Sequence, residues 1–298
     1  MRDKGMRERV IFIVNPISGG RNKTHFSDLL NSTLDFSKYE ARVVYTEYPG
    51  HATQLTEEAL REGYKKVVAV GGDGTINEIA KVLMGKDAEL GIIPYGSGNG
   101  LARHLGIPIN PKKAIELLNV ASTVTTDAGL VNGMPFFCTS GIGFDAHIGK
   151  VFSTLKGRGF LGYVKAVLKE LISYKPEKYR VIINGIKKDL KAFLITFANA
   201  SQYGNNAYIA PRANVQDGML DVCILNPFPI FSVPELVARI FNKTVDRSQY
   251  VITIKGNYIK VVRNHSGPIH LDGEPFDTGR ELNVQVVPSC LRVMTRNG

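Results

Sequence analysis

Short apolar runs alternate with amphipathic stretches through roughly the first 125 residues of the chain. The apolar runs are typical of buried strands and cover residues 9–16, 40–47, 65–72 and 89–94. The stretches between and after them have helical spacing and cover residues 26–36, 51–63, 75–85 and 111–120. Continuous apolar strands separated by helices predict a mostly parallel sheet covered on both faces, which is a Rossmann-like α/β domain.

The pattern changes after about residue 127 to successive runs rich in Val, Ile, Tyr and Phe. Asn184-Gly185 lies between two of these runs and predicts a tight hairpin. This half predicts an antiparallel β-sandwich. We therefore expect two domains, 1–127 and 128–298, with a ligand cleft between them. The last ten or so residues are a candidate segment for packing back on the first domain.

The composition of the chain indicates a basic protein. The 298 residues carry a formal net charge of +10, which suits anionic partners such as nucleotides or acidic lipids. No nucleic-acid-binding motif is present, so we expect no nucleic acid partner. Cys138, Cys223 and Cys290 are far apart and odd in number, which favours a reducing cytoplasm. No run approaches the ~20 apolar residues of a membrane span, so any membrane contact is expected to be peripheral.

Glycine-rich turns follow three of the predicted strands, at residues 15–20, 71–75 and 95–100. Ligands of open parallel sheets bind beyond the carboxyl ends of the strands. Glycines there let backbone N–H groups approach phosphate, and the following helix N-termini favour anions. One such turn is weak evidence, but three in one sheet predict a phosphate site. None of them has the Walker or dinucleotide spacing.

Four segments carry a resemblance to a known family. They are "VVAVGGDGTINEIAKVL", "GIIPYGSGNGLARHLGIP", "GIGFDAHI" and "LDGEPF", in this order. The set resembles the diacylglycerol kinase catalytic family, the soluble lipid kinases that include sphingosine and ceramide kinases. "GGDGT" alone is shared with NAD kinases and 6-phosphofructokinases. The resemblance implies an NAD kinase-like nucleotide-binding domain, a lipid-binding sandwich, and ATP with Mg²⁺ as cofactors.

The resemblance also implies the residues that contact ATP. They lie in the three glycine turns or beside the second strand: Asn15, Ser18, Gly19, Thr46, Gly72, Asp73, Gly74, Thr75, Asn77, Glu78 and Ser97. Asp73 lies inside one of these phosphate-binding turns, and its negative carboxylate would repel a negative phosphate. Mg²⁺ between Asp73 and phosphate would offset this repulsion, and orientation of the reacting hydroxyl is a second role for Asp73.

The second half offers an acidic pair, Asp272 and Glu274. Residues two apart in a strand point to the same face, although Asp-Gly-Glu is also a common hairpin tip. Phosphoryl transfer to an alcohol needs a carboxylate that accepts the hydroxyl proton. The resemblance gives this role to Glu274, with a lipid hydroxyl as acceptor.

A second acidic turn, at residues 214–222, resembles a structural magnesium loop of the family. The resemblance implies that the side chain of Asp217 and the carbonyl groups of Asn214 and Met219 hold the ion. An ordinary acidic turn is the alternative. Asp127 is a candidate for an acid linked to this loop through water.

A basic amphipathic stretch lies at 150–175. One face has Val164, Val167, Leu168 and Leu171, surrounded by Lys150, Lys156, Arg158, Lys165 and Lys169. Such a segment can rest on an anionic bilayer, although packing on the sandwich is the alternative. We expect a cytoplasmic protein associated peripherally with membranes, and a homodimer is a candidate assembly.

The acceptor remains open between diacylglycerol and a sphingoid base or ceramide. "GSGN" leans towards the sphingosine and ceramide kinase branch. An NAD kinase-like phosphotransferase and a non-catalytic nucleotide or lipid sensor are the alternative functions.

Overall fold

The computed structural model of the chain describes residues 7–20, 23, 25–154, 170–171 and 173–296. It divides into two compact units. The first consists of Met1–Thr126 with Ser289–Gly298, and the second is Asp127–Pro288. The expected domains of 1–127 and 128–298 differ from this division by one residue at the first boundary. The last ten residues, which were the candidate segment for packing back on the first domain, fall in the first unit.

The first unit contains the predicted alternation of strands and helices. Its elements are β1 (Glu8–Val14), α1 (Phe26–Thr33), β2 (Tyr39–Tyr45), α2 (His51–Arg61), β3 (Lys66–Gly71), α3 (Asp73–Leu83), β4 (Glu89–Pro94), α4 (Gly100–His104) and α5 (Pro111–Leu118). The short helix α4 was not predicted, because it has only five residues and begins at Gly100, the last residue of the third glycine turn.

The strands of the first unit form a parallel sheet in the order β2-β1-β3-β4. A late segment of the chain extends it, since Arg292 and Val293 pair in parallel with Glu89 and Leu90 of β4. The strands are buried along most of their length, which explains their continuous apolar sequences. From β1 the chain first adds β2 on one side of the sheet and then β3 and β4 on the other side. The topological switch point therefore lies between β1 and β3. The predicted parallel α/β fold is confirmed.

The second unit is built mainly from antiparallel strands. Its elements are β5 (Ser122–Val131, which begins in the first unit), β6 (Met134–Phe136), β7 (Thr139–Gly143), α6 (Phe144–Thr154), β8 (Glu177–Ile183), β9 (Ile186–Ala192), β10 (Leu194–Ala198), β11 (Leu220–Leu225), α7 (Val233–Phe241), β12 (Val251–Gly256), β13 (Tyr258–Arg263), β14 (Gly267–Leu271), β15 (Glu274–Thr278) and β16 (Glu281–Thr295, which ends in the first unit).

These strands form the two layers of the predicted sandwich. One layer has the order β12-β11-β10-β7-β14-β15, and the other contains β16-β13-β8-β9. One apolar core joins the layers, with Phe197 and Val222 from the first and Val181 and Val261 from the second. The chain changes layer twice between strands that a single residue separates, at Phe193 between β9 and β10 and at Asn257 between β12 and β13.

The hairpin predicted at Asn184-Gly185 is present. Both residues have positive φ, 50° and 82°, as a two-residue hairpin of this type requires. They connect β8 and β9, which pair from Glu177↔Ala192 to Ile183↔Ile186. The antiparallel sandwich is therefore confirmed together with one of its turns.

Most of the basic amphipathic stretch lies outside the described residues. This applies to Lys156, Arg158, Val164, Lys165, Val167, Leu168 and Lys169. Of the rest, Leu171 packs against the cluster around Phe144, and Lys150 forms an ion pair with Asp277 at 3.2 Å. Within the described residues, no helix combines the length and the apolar character needed to span a bilayer.

Candidate functional site

The three glycine turns of the first unit touch one another through their backbones. A Cβ on Gly19 would lie 1.8 Å from the carbonyl oxygen of Tyr95, and one on Gly96 would lie 2.6 Å from the Cα of Gly72. Gly19 also has a φ of 66°, which favours glycine. Any side chain at these positions would force the turns apart. The turns predicted to share a ligand therefore lie together, beyond the carboxyl ends of β1, β3 and β4.

Asp73 holds the second turn against the third. It is the first residue of α3, and its two carboxylate oxygens accept N–H bonds from Asn99 and Gly100, each at 2.8 Å. Asn99 in turn closes its own loop, because its side chain accepts from the Gly96 N–H at 3.0 Å and donates to the Gly96 carbonyl at 2.7 Å. The carboxylate thus caps the N-terminus of α4, which places a fixed negative charge within the turns.

Asn15 connects the first turn to the second. Its side-chain amide donates to the Thr75 hydroxyl at 3.1 Å, and its side-chain oxygen accepts from the Ile17 N–H at 3.1 Å. Ser18 donates through its hydroxyl to the Asn15 carbonyl at 3.3 Å. Asn15, Ser18 and Thr75 are therefore members of one hydrogen-bonded group.

Lys23 is a buried cation beside the first turn that sequence reasoning missed. It is 3% exposed, its ammonium group donates to the Ser18 carbonyl at 2.8 Å, and it lies 5.0 Å from the centre of the Tyr95 ring. Burial lowers the pKa of Lys23 to about 8. It forms no ion pair with another residue in the described part of the chain. Only the proximity of Lys23 to "NPISGG" could have indicated this position.

The other predicted ATP contacts occupy several environments. Glu78 accepts N–H bonds from Gly50 at 2.9 Å and Ala52 at 3.1 Å, so its carboxylate caps the N-terminus of α2. Thr46 is buried after β2 and donates its N–H to the Val14 carbonyl at 2.9 Å. The remaining positions lie at the start of α3 or in the third turn: Gly72, Gly74, Asn77 and Ser97, of which Ser97 is exposed. A role in ATP binding remains a prediction for all of them.

Asp272 and Glu274, the acidic pair of the second unit, lie in different environments. Asp272 and Gly273 form the tip of the β14–β15 hairpin, with φ values of 50° and 91°. The Asp272 carboxylate accepts N–H bonds from Phe137, Cys138 and Thr139 at 2.9, 2.7 and 3.1 Å. Of the two alternatives for this motif, the hairpin tip is the one observed, and it places Asp272 and Glu274 on either side of the bend rather than on one strand face.

Glu274 is the exposed member of this turn. It is the first residue of β15 and makes no side-chain hydrogen bond or ion pair with another described residue. Its assignment as general base remains a prediction. Exposure leaves the carboxylate accessible to an acceptor hydroxyl, whereas Asp272 is committed to the backbone.

A buried polar network contacts strand β14 of this hairpin and gives a structural role to residues of the segment "GIGFDAHI". Asp145 accepts hydrogen bonds through one oxygen from Thr196 at 2.8 Å and Tyr203 at 3.0 Å, and it contacts His270 at 3.2 Å. Burial and the adjacent carboxylate raise the pKa of Tyr203 well above its usual value. Gly141 is needed because a Cβ there would lie 2.5 Å from Asp145. Sequence reasoning assigned no role to Asp145.

The residues of the predicted magnesium loop make several contacts with their neighbours. Asp217 accepts the Met219 N–H at 3.1 Å and pairs with the ammonium group of Lys255, so a cation already contacts the carboxylate assigned to the metal. Asp127 accepts the Gly218 N–H directly at 2.7 Å. No three acidic, histidine or cysteine side chains cluster as metal ligands within the described residues. The metal assignment to Asn214, Asp217 and Met219 stays a prediction.

Two family models match successive parts of this sequence. The diacylglycerol kinase catalytic domain matches residues 9–131, and the YegS C-terminal NAD kinase beta sandwich-like domain matches residues 139–295. These ranges correspond to the α/β fold and the sandwich described above. The resemblance seen in the sequence motifs is thereby confirmed.

Curated relatives and a solved structure agree with these matches. The diacylglycerol kinase of Bacillus subtilis (strain 168) is 31% identical over 281 residues, which cover 90% of this chain and 89% of the relative. A Pseudomonas aeruginosa protein named "Probable lipid kinase YegS-like" is 33% identical over 258 residues, covering 85% and 84%. A diacylglycerol kinase structure from Bacillus anthracis str. Sterne has the same fold, with a TM-score of 0.76, 20% identity and 97% coverage of both chains. The chain belongs to the diacylglycerol kinase catalytic family and is a kinase.

Proposed function

We propose that this protein transfers the γ-phosphate of ATP to a lipid hydroxyl, of diacylglycerol or of a sphingoid base or ceramide. The observation that carries the proposal is the contact among the three glycine turns at the switch point of the parallel sheet. These turns bring backbone N–H groups and the N-terminus of α3 together, which suits a polyphosphate, whereas the N-terminus of α4 is capped by Asp73. The buried ammonium group of Lys23 beside them adds a positive charge that a phosphate would neutralise.

The residues of each unit receive separate chemical tasks in this proposal. The first unit binds ATP, with Asn15, Ser18 and Thr75 orienting the phosphates. Glu274 of the second unit accepts the proton of the lipid hydroxyl as its oxygen attacks the γ-phosphorus, and ADP leaves. Asp272 fixes the hairpin that carries Glu274.

Magnesium is the cofactor proposed with ATP. Asp73 fits this cofactor because Mg²⁺ prefers carboxylate oxygen ligands and because the amides of Asn99 and Gly100 fix the position of the carboxylate. The ion would supply neutralisation of the phosphate charge. The cation contact at Asp217 offers no comparable support for a second ion.

Transfer of radiolabelled phosphate from ATP tests the proposal. The acceptors are diacylglycerol, monoacylglycerol, sphingosine, dihydrosphingosine, ceramide and undecaprenol in mixed micelles, with NAD as a soluble alternative. We expect label on diacylglycerol, a sphingoid base or ceramide. Label on NAD alone would replace the proposal with the NAD kinase alternative, and ATP binding without any label would favour a sensor.

A further inference from the structure

Helix α7 presents an apolar face to solvent. Pro234, Val237, Ala238 and Phe241 follow the i, i+3, i+4, i+7 spacing of one helix side, and all four are exposed. Val237 is 46% exposed and Phe241 is 54% exposed. This spacing normally faces a protein core. An exposed face of this kind indicates a surface that is covered in use.

The apolar face continues into the turn before the helix. Ile230 and Phe231 are 57% and 80% exposed. We define the α7 surface as the side chains of Ile230, Phe231, Pro234, Val237, Ala238 and Phe241.

The helix itself is firmly attached to its unit, so the exposure is not that of a detached segment. Leu236 on the opposite side is 5% exposed, and the Ile240 carbonyl accepts the Tyr208 N–H at 3.1 Å. Ser232, just before the helix, donates to the Tyr250 hydroxyl at 3.2 Å. The α7 surface is therefore a fixed feature of the sandwich.

The charges around the α7 surface favour an anionic partner. The two acids of this region are neutralised, because Glu235 pairs with Arg239 at 2.7 Å and Asp246 pairs with Arg212 at 2.8 Å. Lys243 is exposed at the end of the helix, where it lies 4.5 Å from the centre of the Tyr208 ring. It forms no ion pair with another described residue, and neither does the exposed Arg247.

We propose that the α7 surface docks this protein on an anionic lipid bilayer. Large apolar side chains flanked by cations match the acyl and headgroup layers of such a membrane. A second copy of the same surface would supply more cations and no opposing charge. This docking site extends the proposed lipid kinase function. It rests on that function in one respect, because a lipid substrate is what requires the protein to bind a bilayer. It places the contact on a different segment from the 150–175 stretch.

Vesicle cosedimentation without nucleotide tests the docking. The vesicles contain equal parts phosphatidylglycerol and phosphatidylcholine, with pure phosphatidylcholine for comparison. The double variant Val237→Asp/Phe241→Asp should lower the partition coefficient about tenfold or more, because charged groups replace inserted apolar ones. Lys243→Glu should weaken binding to the anionic vesicles alone. Ile186→Asp is the matched control, since Ile186 is 76% exposed at the tip of the β8–β9 hairpin.

Each outcome decides the docking independently of catalysis. Vesicle binding by the double variant equal to that of the unsubstituted protein would overturn the proposal, as would absence of binding by the unsubstituted protein. Light scattering that shows a dimer dissociated by the double substitution would assign the surface to a second copy instead. Circular dichroism establishes that the variants fold. If docking follows the α7 surface but no lipid is phosphorylated, the kinase function fails and the docking stands.

Discussion

The two units use their turn carboxylates in different ways. In the first unit, Asp73 lies inside the glycine turns, and both of its oxygens accept backbone amides of the next turn. In the second unit, the corresponding anchoring is done by Asp272, which accepts three amides. Glu274, two residues later, is exposed and has no bonding partner among the described residues.

This difference separates carboxylates that build a site from one that is available to react. Two or three hydrogen bonds from backbone amides fix the position of a carboxylate before any ligand arrives. An exposed carboxylate is positioned only by its backbone and by the substrate. Substitutions at the two kinds of acid should therefore have different effects on folding and on turnover.

The largest effect is expected from Glu274→Gln, which should lower kcat about 10²- to 10⁴-fold in the lipid kinase assay. The amide cannot accept the hydroxyl proton, while an exposed position should leave the free energy of unfolding within about 0.5 kcal/mol. Turnover and urea denaturation measure the two quantities.

Asp272→Asn is the control for that comparison. Loss of a charged acceptor for three amides should destabilise the protein by about 1–3 kcal/mol. Near-normal turnover of Glu274→Gln would remove Glu274 from the mechanism and erase the distinction between the two acids.

The contact between the glycine turns can be tested with Gly96→Ala. The added Cβ would lie 2.6 Å from the Gly72 Cα and 2.7 Å from the Asn99 side-chain oxygen, so the backbone must move. We expect a loss of about 1–3 kcal/mol in unfolding free energy and a raised KM for ATP.

Gly279→Ala provides the matched control. Its added Cβ would meet no atom within 4 Å, so stability and KM should both stay close to their original values. An unchanged KM for Gly96→Ala would mean that the close approach of the turns is unimportant for ATP.

A smaller effect is expected from Lys23→Met and its dependence on pH. Because burial lowers the pKa of Lys23 from 10.5 to about 8, the unfolded chain binds more protons between these two values. Stability should rise with pH across that window, and Lys23→Met should abolish this rise, on the order of 1 kcal/mol. Urea denaturation at several pH values between 7 and 10 measures it.

Lys23→Met also tests whether Lys23 contributes to ATP binding. At pH 7, removal of the buried cation should stabilise the free protein and raise the KM for ATP. Lys178→Met, at an exposed position of β8, should change neither quantity. A pH dependence of unfolding identical in Lys23→Met and the unsubstituted protein would contradict the buried-cation explanation.

Sequence reasoning recovered the parts of this molecule that depend on local pattern. Buried parallel strands produce continuous apolar runs, and Asn184-Gly185 produces a hairpin, so both were predictable. The roles of Lys23 and Asn99 depend on contacts between turns. The Asp272-Gly273 hairpin tip was one of two alternatives for its motif, and the sequence alone did not decide between them. The exposure of Phe241 depends on which side of α7 packs, and an apolar pattern does not distinguish a buried face from an uncovered one.

The long strand β16 has a consequence for biosynthesis. Arg292 and Val293 pair with β4 of the first unit, yet they are synthesised after the whole of the second unit. During translation, the β4 edge of the nascent sheet therefore lacks this neighbour until Val293 has been added to the chain. Unpaired strand edges attract other chains, so a stalled or truncated product of this gene should be prone to aggregation and proteolysis.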